Sequence, residues 1–476
     1  MLFNSFVYIL LFLPLMVVGY FYLNKRRQEQ AATLWLIMGS LVFYGYWNPW
    51  YVPIILGSMI FNFTLGTGIM RLSAAGRTGP GSLAKYLMII GIVANLSLLG
   101  YYKYTDFFLT NAGYVLGRDM GLLRLALPLG ISFFTFQQLS FLVDCYQERT
   151  SEYRAVNFSL FVVFFPQLIA GPIVHHKEMI PQFEDQENKR PHWENIYVGL
   201  AIFAVGLFKK AVLADTFSIF AGAGYGNAQN LSCAEAWISC LSYTFQLYFD
   251  FSGYTDMGIG SAYMLNIKLP HNFNSPYRSV NIQDFWRRWH MTLSRWLRDY
   301  LYIPLGGNRK GEFRTHVNLF LTFLLGGFWH GAGWTFVVWG ALHGAANSVH
   351  RTWKNGGHRL PTVPAWIVTF LFVNIAWVFF RAASVSDAVA VLRSMAGLDR
   401  LSGVEVFAAI SSTEWVLWSI AGLIAICLTA FGINTTELPD RIRPNLRTIL
   451  FIAVITIVGL FFLNSTIPKE FLYFDF

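Results

Sequence analysis

Blocks of roughly 20 apolar residues recur along this chain, the length an α-helix needs to cross a bilayer core. They fall at about 4–23, 31–49, 51–71, 84–102, 127–147, 157–175, 194–214, 234–251, 316–349, 363–381, 415–433 and 447–464. The 316–349 block is too long for one crossing. Only 13% of the 476 residues are charged, against about 25% in soluble domains, too few to clothe a soluble surface of this size. The blocks predict an all-α polytopic membrane protein, a single domain over 1–476, with about 11 crossings plus re-entrant or interfacial helices.

Charge placement predicts the orientation. Lys25, Arg26 and Arg27 follow the first block, which puts them in the cytoplasm and the N-terminus outside. No basic stretch precedes that block, so it reads as a span and not as a cleavable signal. Residues 278–314 carry eight Lys/Arg against three acids, the strongest cytoplasmic marker in the chain. The net charge of +9 fits loops facing anionic lipid. No nucleic-acid-binding motif accompanies it, which argues against a nucleic-acid partner. The four cysteines form no Cys-x-x-Cys pair, and no metal site is expected.

Two stretches depart from plain spans. In 160–174, Pro166, Gly171 and Pro172 interrupt an apolar run. Broken backbone at membrane depth survives only inside protein or along a cavity, so this is a candidate re-entrant piece. Residues 281–301 read as one amphipathic helix lying in the interface. On a helical wheel Arg288, Arg295 and Arg298 gather near Arg287, with Phe285, Trp286, Trp289, Trp296 and Tyr300 opposite. The arginine face could dock the phosphates of a cytoplasmic donor or simply contact lipid. His290 sits at the edge of the aromatic face.

From Thr315 to His350 there is no Asp, Glu, Lys or Arg, yet His330 lies within. If the chain is helical from Arg314, His330 stands roughly 24 Å beyond that cationic edge, deep in a core about 30 Å thick. An ionisable residue at such depth points to a functional site. The alternative is a structural histidine hydrogen-bonded between helices. Gly326, Gly327, Gly331 and Gly333 permit close approach of backbone or ligand. A neutral imidazole could take a proton from a hydroxyl nucleophile. His343 and His350 are weaker candidates; on a continuous helix His343 would point about 220° away. No Gly-x-Ser-x-Gly elbow or P-loop is present to support a hydrolase or NTPase.

At these residues the chain resembles the membrane-bound O-acyltransferase family, and within it the branch that O-acetylates alginate. The resemblance rests on Gln246-Leu-Tyr-Phe-Asp-Phe-Ser-Gly-Tyr-Thr-Asp-Met257, Phe285-Trp-Arg-Arg-Trp-His290, Trp296-Leu-Arg-Asp-Tyr-Leu-Tyr302, Leu305-Gly-Gly-Asn-Arg309 and Leu325-Gly-Gly-Phe-Trp-His-Gly-Ala332. Leu129-Gly-Ile-Ser-Phe-Phe-Thr-Phe136, Phe165-Pro-Gln-Leu-Ile-Ala-Gly-Pro172 and the tail Phe471-Leu-Tyr-Phe-Asp-Phe476 also match, and the core motifs span about 125–385. The resemblance implies a helical fold enclosing a tunnel, with His330 at the family's invariant histidine and His290 at a second active-site position. Trp329, Asp250 and Asp256 would support the site, the aspartates by satisfying helix ends or the arginine cluster.

The resemblance further implies an O-acetyltransferase of a bacterial cytoplasmic membrane, with no bound cofactor and acetyl-CoA as donor substrate. Arg287, Arg288, Arg295 and Arg298 would receive the donor. The acetyl group would pass to a periplasmic acetyltransferase partner and an exopolysaccharide such as alginate. D-alanyl transfer to teichoic acid and peptidoglycan O-acetylation are alternatives within the class. A transporter of lipid-linked glycan is the alternative outside it, since many spans and an interior histidine suit that too.

Overall fold

The computed structural model describes residues 1–76, 79, 81–147, 154–169, 171–398, 405–464 and 472. Among these, every regular element is helical. Among the described residues, seven helices are long and apolar enough to cross a membrane: Tyr8–Lys25, Pro49–Ala74, Leu83–Leu116, Trp193–Gly226, Thr362–Arg381, Ser412–Ala430 and Leu446–Leu463. Other expected blocks form shorter helices, such as Glu29–Gly45 and Ile131–Tyr146, or the longer but more polar Cys233–Tyr263. The tail motif lies outside the described residues except for Leu472, as does Ala170 of the 165–172 motif.

The chain forms two compact units, residues 1–203 with 257–270, and residues 204–256 with 271–476. In the first, a buried amide cluster joins three apolar helices, Val52–Ala74, Leu83–Leu99 and Ile131–Tyr146. Asn95 Nδ2 donates to Asn62 Oδ1 at 2.7 Å, Ser58 Oγ donates to Gln138 Oε1 at 3.1 Å, and Asn62 Nδ2 donates to the same oxygen of Gln138. Lipid offers these groups no alternative partner, so such bonds select one packing, each contributing about 0.6–2 kcal/mol. The interrupted segment is present as expected. Ala155–Val163 gives way to the short Phe165–Leu168 and then to irregular backbone, and Phe161 to Phe165 are fully buried in protein.

The second unit holds the 278–350 region, where one expectation is met and one changes. The 316–349 block is a hairpin of two helices, Glu312–His330 and Trp334–Asn355. They approach closely because Gly327 and Gly340 face each other. A Cβ on Gly327 would lie 2.5 Å from the Phe336 carbonyl oxygen, and one on Gly340 would lie 2.6 Å from that of Phe323. The glycines of this motif therefore serve backbone approach at Gly327. The expectation that changes is that of one helix over 281–301. Ile282–Arg288 ends, Trp289 and His290 turn the chain, and Met291–Leu297 begins anew before a wide turn at Arg298–Tyr302.

Candidate active site

The break at Trp289–His290 builds the site. His290 has φ +42° and ψ +54°, the left-handed region, without a glycine to ease it. Backbone hydrogen bonds on either side hold the turn. Asn274 N–H donates to the Arg288 carbonyl at 2.9 Å, and Met291 N–H donates to the Asn272 carbonyl at 2.9 Å. Left-handed backbone costs about 1–2 kcal/mol for an L-residue with a Cβ. The irregular 272–274 segment supplies the compensating bonds.

This turn removes His290 from the edge of a helical wheel and buries it completely. Its Nδ1 lies 3.2 Å from Asn272 Oδ1. Thr292 Oγ and N–H donate to that same oxygen at 2.5 and 3.4 Å. A backbone N–H can only donate, so the oxygen of Asn272 faces His290 and accepts from Nδ1–H. The neutral ring then carries its lone pair on Nε2. The edge of Phe251 packs against the imidazole at 4.8 Å between centroids.

His330 closes its helix at Gly331, where the backbone turns extended. The helix is unbroken from Glu312, so His330 does stand 16 residues of continuous helix beyond Arg314, about 24 Å along its axis. It is 4% exposed and enclosed by rings: Trp329 at 5.0 Å, Trp339 at 5.2 Å and Phe380 at 5.2 Å between centroids. Trp329 thus touches the imidazole directly. The imidazoles of His290 and His330, 40 residues apart in sequence, stand 6.4 Å apart between centroids.

The hairpin returns His343 to the same aromatic cluster. Trp286 Nε1–H donates to His343 Nδ1 at 3.2 Å, and Trp339 packs on that ring at 4.7 Å between centroids. His343 therefore anchors the first interfacial helix to the hairpin. Its 220° offset on a continuous helix does not apply, because Gly331–Gly333 reverses the chain.

The four arginines do not act as one face. Arg288 Nε donates to Asp284 at 2.9 Å, and Arg298 pairs with the adjacent Asp299 at 2.7 Å. Arg295 is half-buried on Met291–Leu297. Arg287 lines a cleft of about 840 Å³ together with His350, Trp353, Lys354 and Arg359.

Asp250 and Asp256 pair with lysines, not with arginines or helix ends. Lys210 Nζ reaches Asp250 at 2.7 Å and Asp215 at 2.6 Å, with Lys210 only 1% exposed. Lys209 Nζ reaches Asp256 at 2.7 Å, and Thr435 Oγ donates to the other oxygen of Asp256 at 3.0 Å. The N–H of Leu472 donates to Asp250 at 3.0 Å. Lys209, Lys210 and Asp215 were missed, although two lysines at the end of an apolar block are a visible signal.

Comparison with known proteins identifies the family. The model of MBOAT, the membrane-bound O-acyltransferase family, matches residues 85–385. A peptidoglycan O-acetyltransferase of Helicobacter pylori is 49% identical over 432 residues, covering 84% of this chain and 81% of the relative. A Pseudomonas aeruginosa protein named "Probable alginate O-acetylase" is 41% identical over 396 residues, covering 82% and 73%. A teichoic acid D-alanyltransferase of Bacillus subtilis is 28% identical over 270 residues, covering 53% and 68%. The chain belongs to the membrane-bound O-acyltransferase family and is a multi-pass membrane O-acetyltransferase.

Proposed function

We propose that this enzyme takes an acetyl group from a cytoplasmic donor, acetyl-CoA, and passes it across a bacterial cytoplasmic membrane for O-acetylation of peptidoglycan. Similarity supports this glycan over the exopolysaccharide expected from sequence: the relative named for peptidoglycan is 49% identical, the one named for alginate 41%. A periplasmic acetyltransferase partner would carry the group to the polymer, and a tunnel to the buried histidines is part of this reading.

The observation that carries the chemistry is the buried His290–His330 pair. His330 acts as general base: it takes the proton of an acceptor hydroxyl as that oxygen attacks the acetyl carbonyl. The carbon–sulfur bond of the thioester then breaks, and the proton on His330 passes to the departing thiolate. The aromatic enclosure excludes water that would otherwise hydrolyse the donor. His290, with Nδ1–H engaged by Asn272, accepts through Nε2. That suits it to orient the hydroxyl of the acceptor. Arg287, Lys354 and Arg359 outnumber the cleft's carboxylate, Asp284, which pairs with Arg288, and make a cationic entry suited to donor phosphates; Trp353 offers a stacking face. Of the four arginines proposed as donor contacts, Arg287 is the one with this support.

The glycan is tested by measuring base-labile acetate on purified peptidoglycan and on secreted polysaccharide from cells lacking the gene and from complemented cells. Acetate should disappear from peptidoglycan and return on complementation. Loss confined to secreted polysaccharide would restore the exopolysaccharide reading.

A further inference from the structure

A second large cleft lies in the first unit, away from the histidines in sequence and chemistry. It has a volume of about 850 Å³ and opens between the end of Tyr8–Lys25 and the start of Trp193–Gly226. Both are ends of candidate spans, so the cleft sits where a membrane interface must fall. Its apolar side includes Val18 and Trp193, 66% and 76% exposed, an unfavourable placement in water but a natural one against acyl chains. Its polar side carries Lys25, Arg27 and Arg190.

The backbone is fixed at two of the three basic residues. Arg27 has φ +60°, a left-handed residue that ends the turn after the first span. Arg190 is held through its carbonyl, which accepts from Asn266 Nδ2 at 2.6 Å. The one carboxylate lining the cleft, Glu29, is engaged by Lys189 at 2.5 Å. Lys25, Arg27 and Arg190 therefore leave a net positive rim directly above an apolar wall. We propose that this cleft binds one anionic glycerophospholipid of the cytoplasmic leaflet, its phosphate at the Arg27–Arg190 rim and an acyl chain along Val18 and Trp193. General attraction of basic loops to anionic lipid needs no cleft; a single bound lipid needs both the rim and the wall.

The test uses the full-length protein in phosphatidylcholine nanodiscs. Phosphatidylglycerol is titrated in, and occupancy is counted by native mass spectrometry. Arg27→Asn combined with Arg190→Gln removes two charges, and Asn tolerates the left-handed backbone at residue 27. Each basic group at a membrane surface is worth on the order of fivefold, so affinity for one tightly held lipid should fall roughly 25-fold. Lys25→Gln with Arg190→Gln, which leaves the turn untouched, should show the same loss. The control Arg443→Gln with Arg447→Gln, equal in charge, should retain the lipid. Inorganic phosphate in excess should not displace it. Equal retention by all variants, or full displacement by inorganic phosphate, would overturn the proposal.

Discussion

The amide cluster of the first unit and the histidine pair of the second are both polar groups buried in a membrane protein, and they are built in opposite ways. Ser58, Asn62, Asn95 and Gln138 lie on three regular helices and bond to one another. His290 and His330 stand at a helix break and a helix end, enclosed by Phe251, Trp329, Trp339 and Phe380. Amides that satisfy each other hold helices together and have little chemistry to offer. In the proposed reaction, imidazoles caged by rings, one of them oriented through Nδ1, exchange protons with the acceptor.

Substitutions should separate these roles. The largest effect on folding is expected at neither region but at Lys210. Lys210→Met removes the cation that bridges Asp250 and Asp215, a loss of about 3–5 kcal/mol for a broken buried pair. Little folded protein should survive detergent extraction, measured by size-exclusion chromatography. A stable monodisperse variant would show that the aspartates have other partners.

His290→Ala comes next. It removes the orienting nitrogen and places alanine in left-handed backbone, so turnover should fall about 100-fold. His290→Asn keeps an acceptor and tolerates that backbone, and should retain several-fold more activity than the alanine variant, as read from initial rates. Equal losses would place the importance of this position in imidazole chemistry alone.

Asn62→Leu should lower thermal stability by about 1–2 kcal/mol while leaving the rate per folded molecule unchanged. A change in turnover without a change in stability would join the amide cluster to catalysis and break the contrast between the regions. The smallest effect is expected for Arg287→Gln: a several-fold rise in KM for acetyl-CoA with kcat nearly constant, from steady-state kinetics. An unchanged KM would reassign that cleft to lipid contact.

Much of this was legible in the sequence. Apolar block lengths pointed to the helical membrane fold, and the helical continuity assumed between Arg314 and His330 holds, because Glu312–His330 is one unbroken helix. The break at His290 was not legible. No proline or glycine marks it, and the bonds that hold it come from Asn272 and Asn274, outside the helix pattern. The wheel therefore placed His290 at an edge and gathered four arginines that the structure separates. Gly331 and Gly333 were visible, but only the structure shows that they reverse the chain and bring His343 beneath Trp286. The partners of Asp250 stayed hidden because Lys210 lies 40 residues earlier, a separation that no local period reports.

The most direct test is His330→Ala in proteoliposomes supplied with labelled acetyl-CoA and the acceptor components. Transfer should drop by about 10²–10⁴, while the variant inserts, purifies as a monodisperse species and melts within a few degrees of wild type. Transfer at the wild-type rate by that well-folded variant would contradict His330 as the general base.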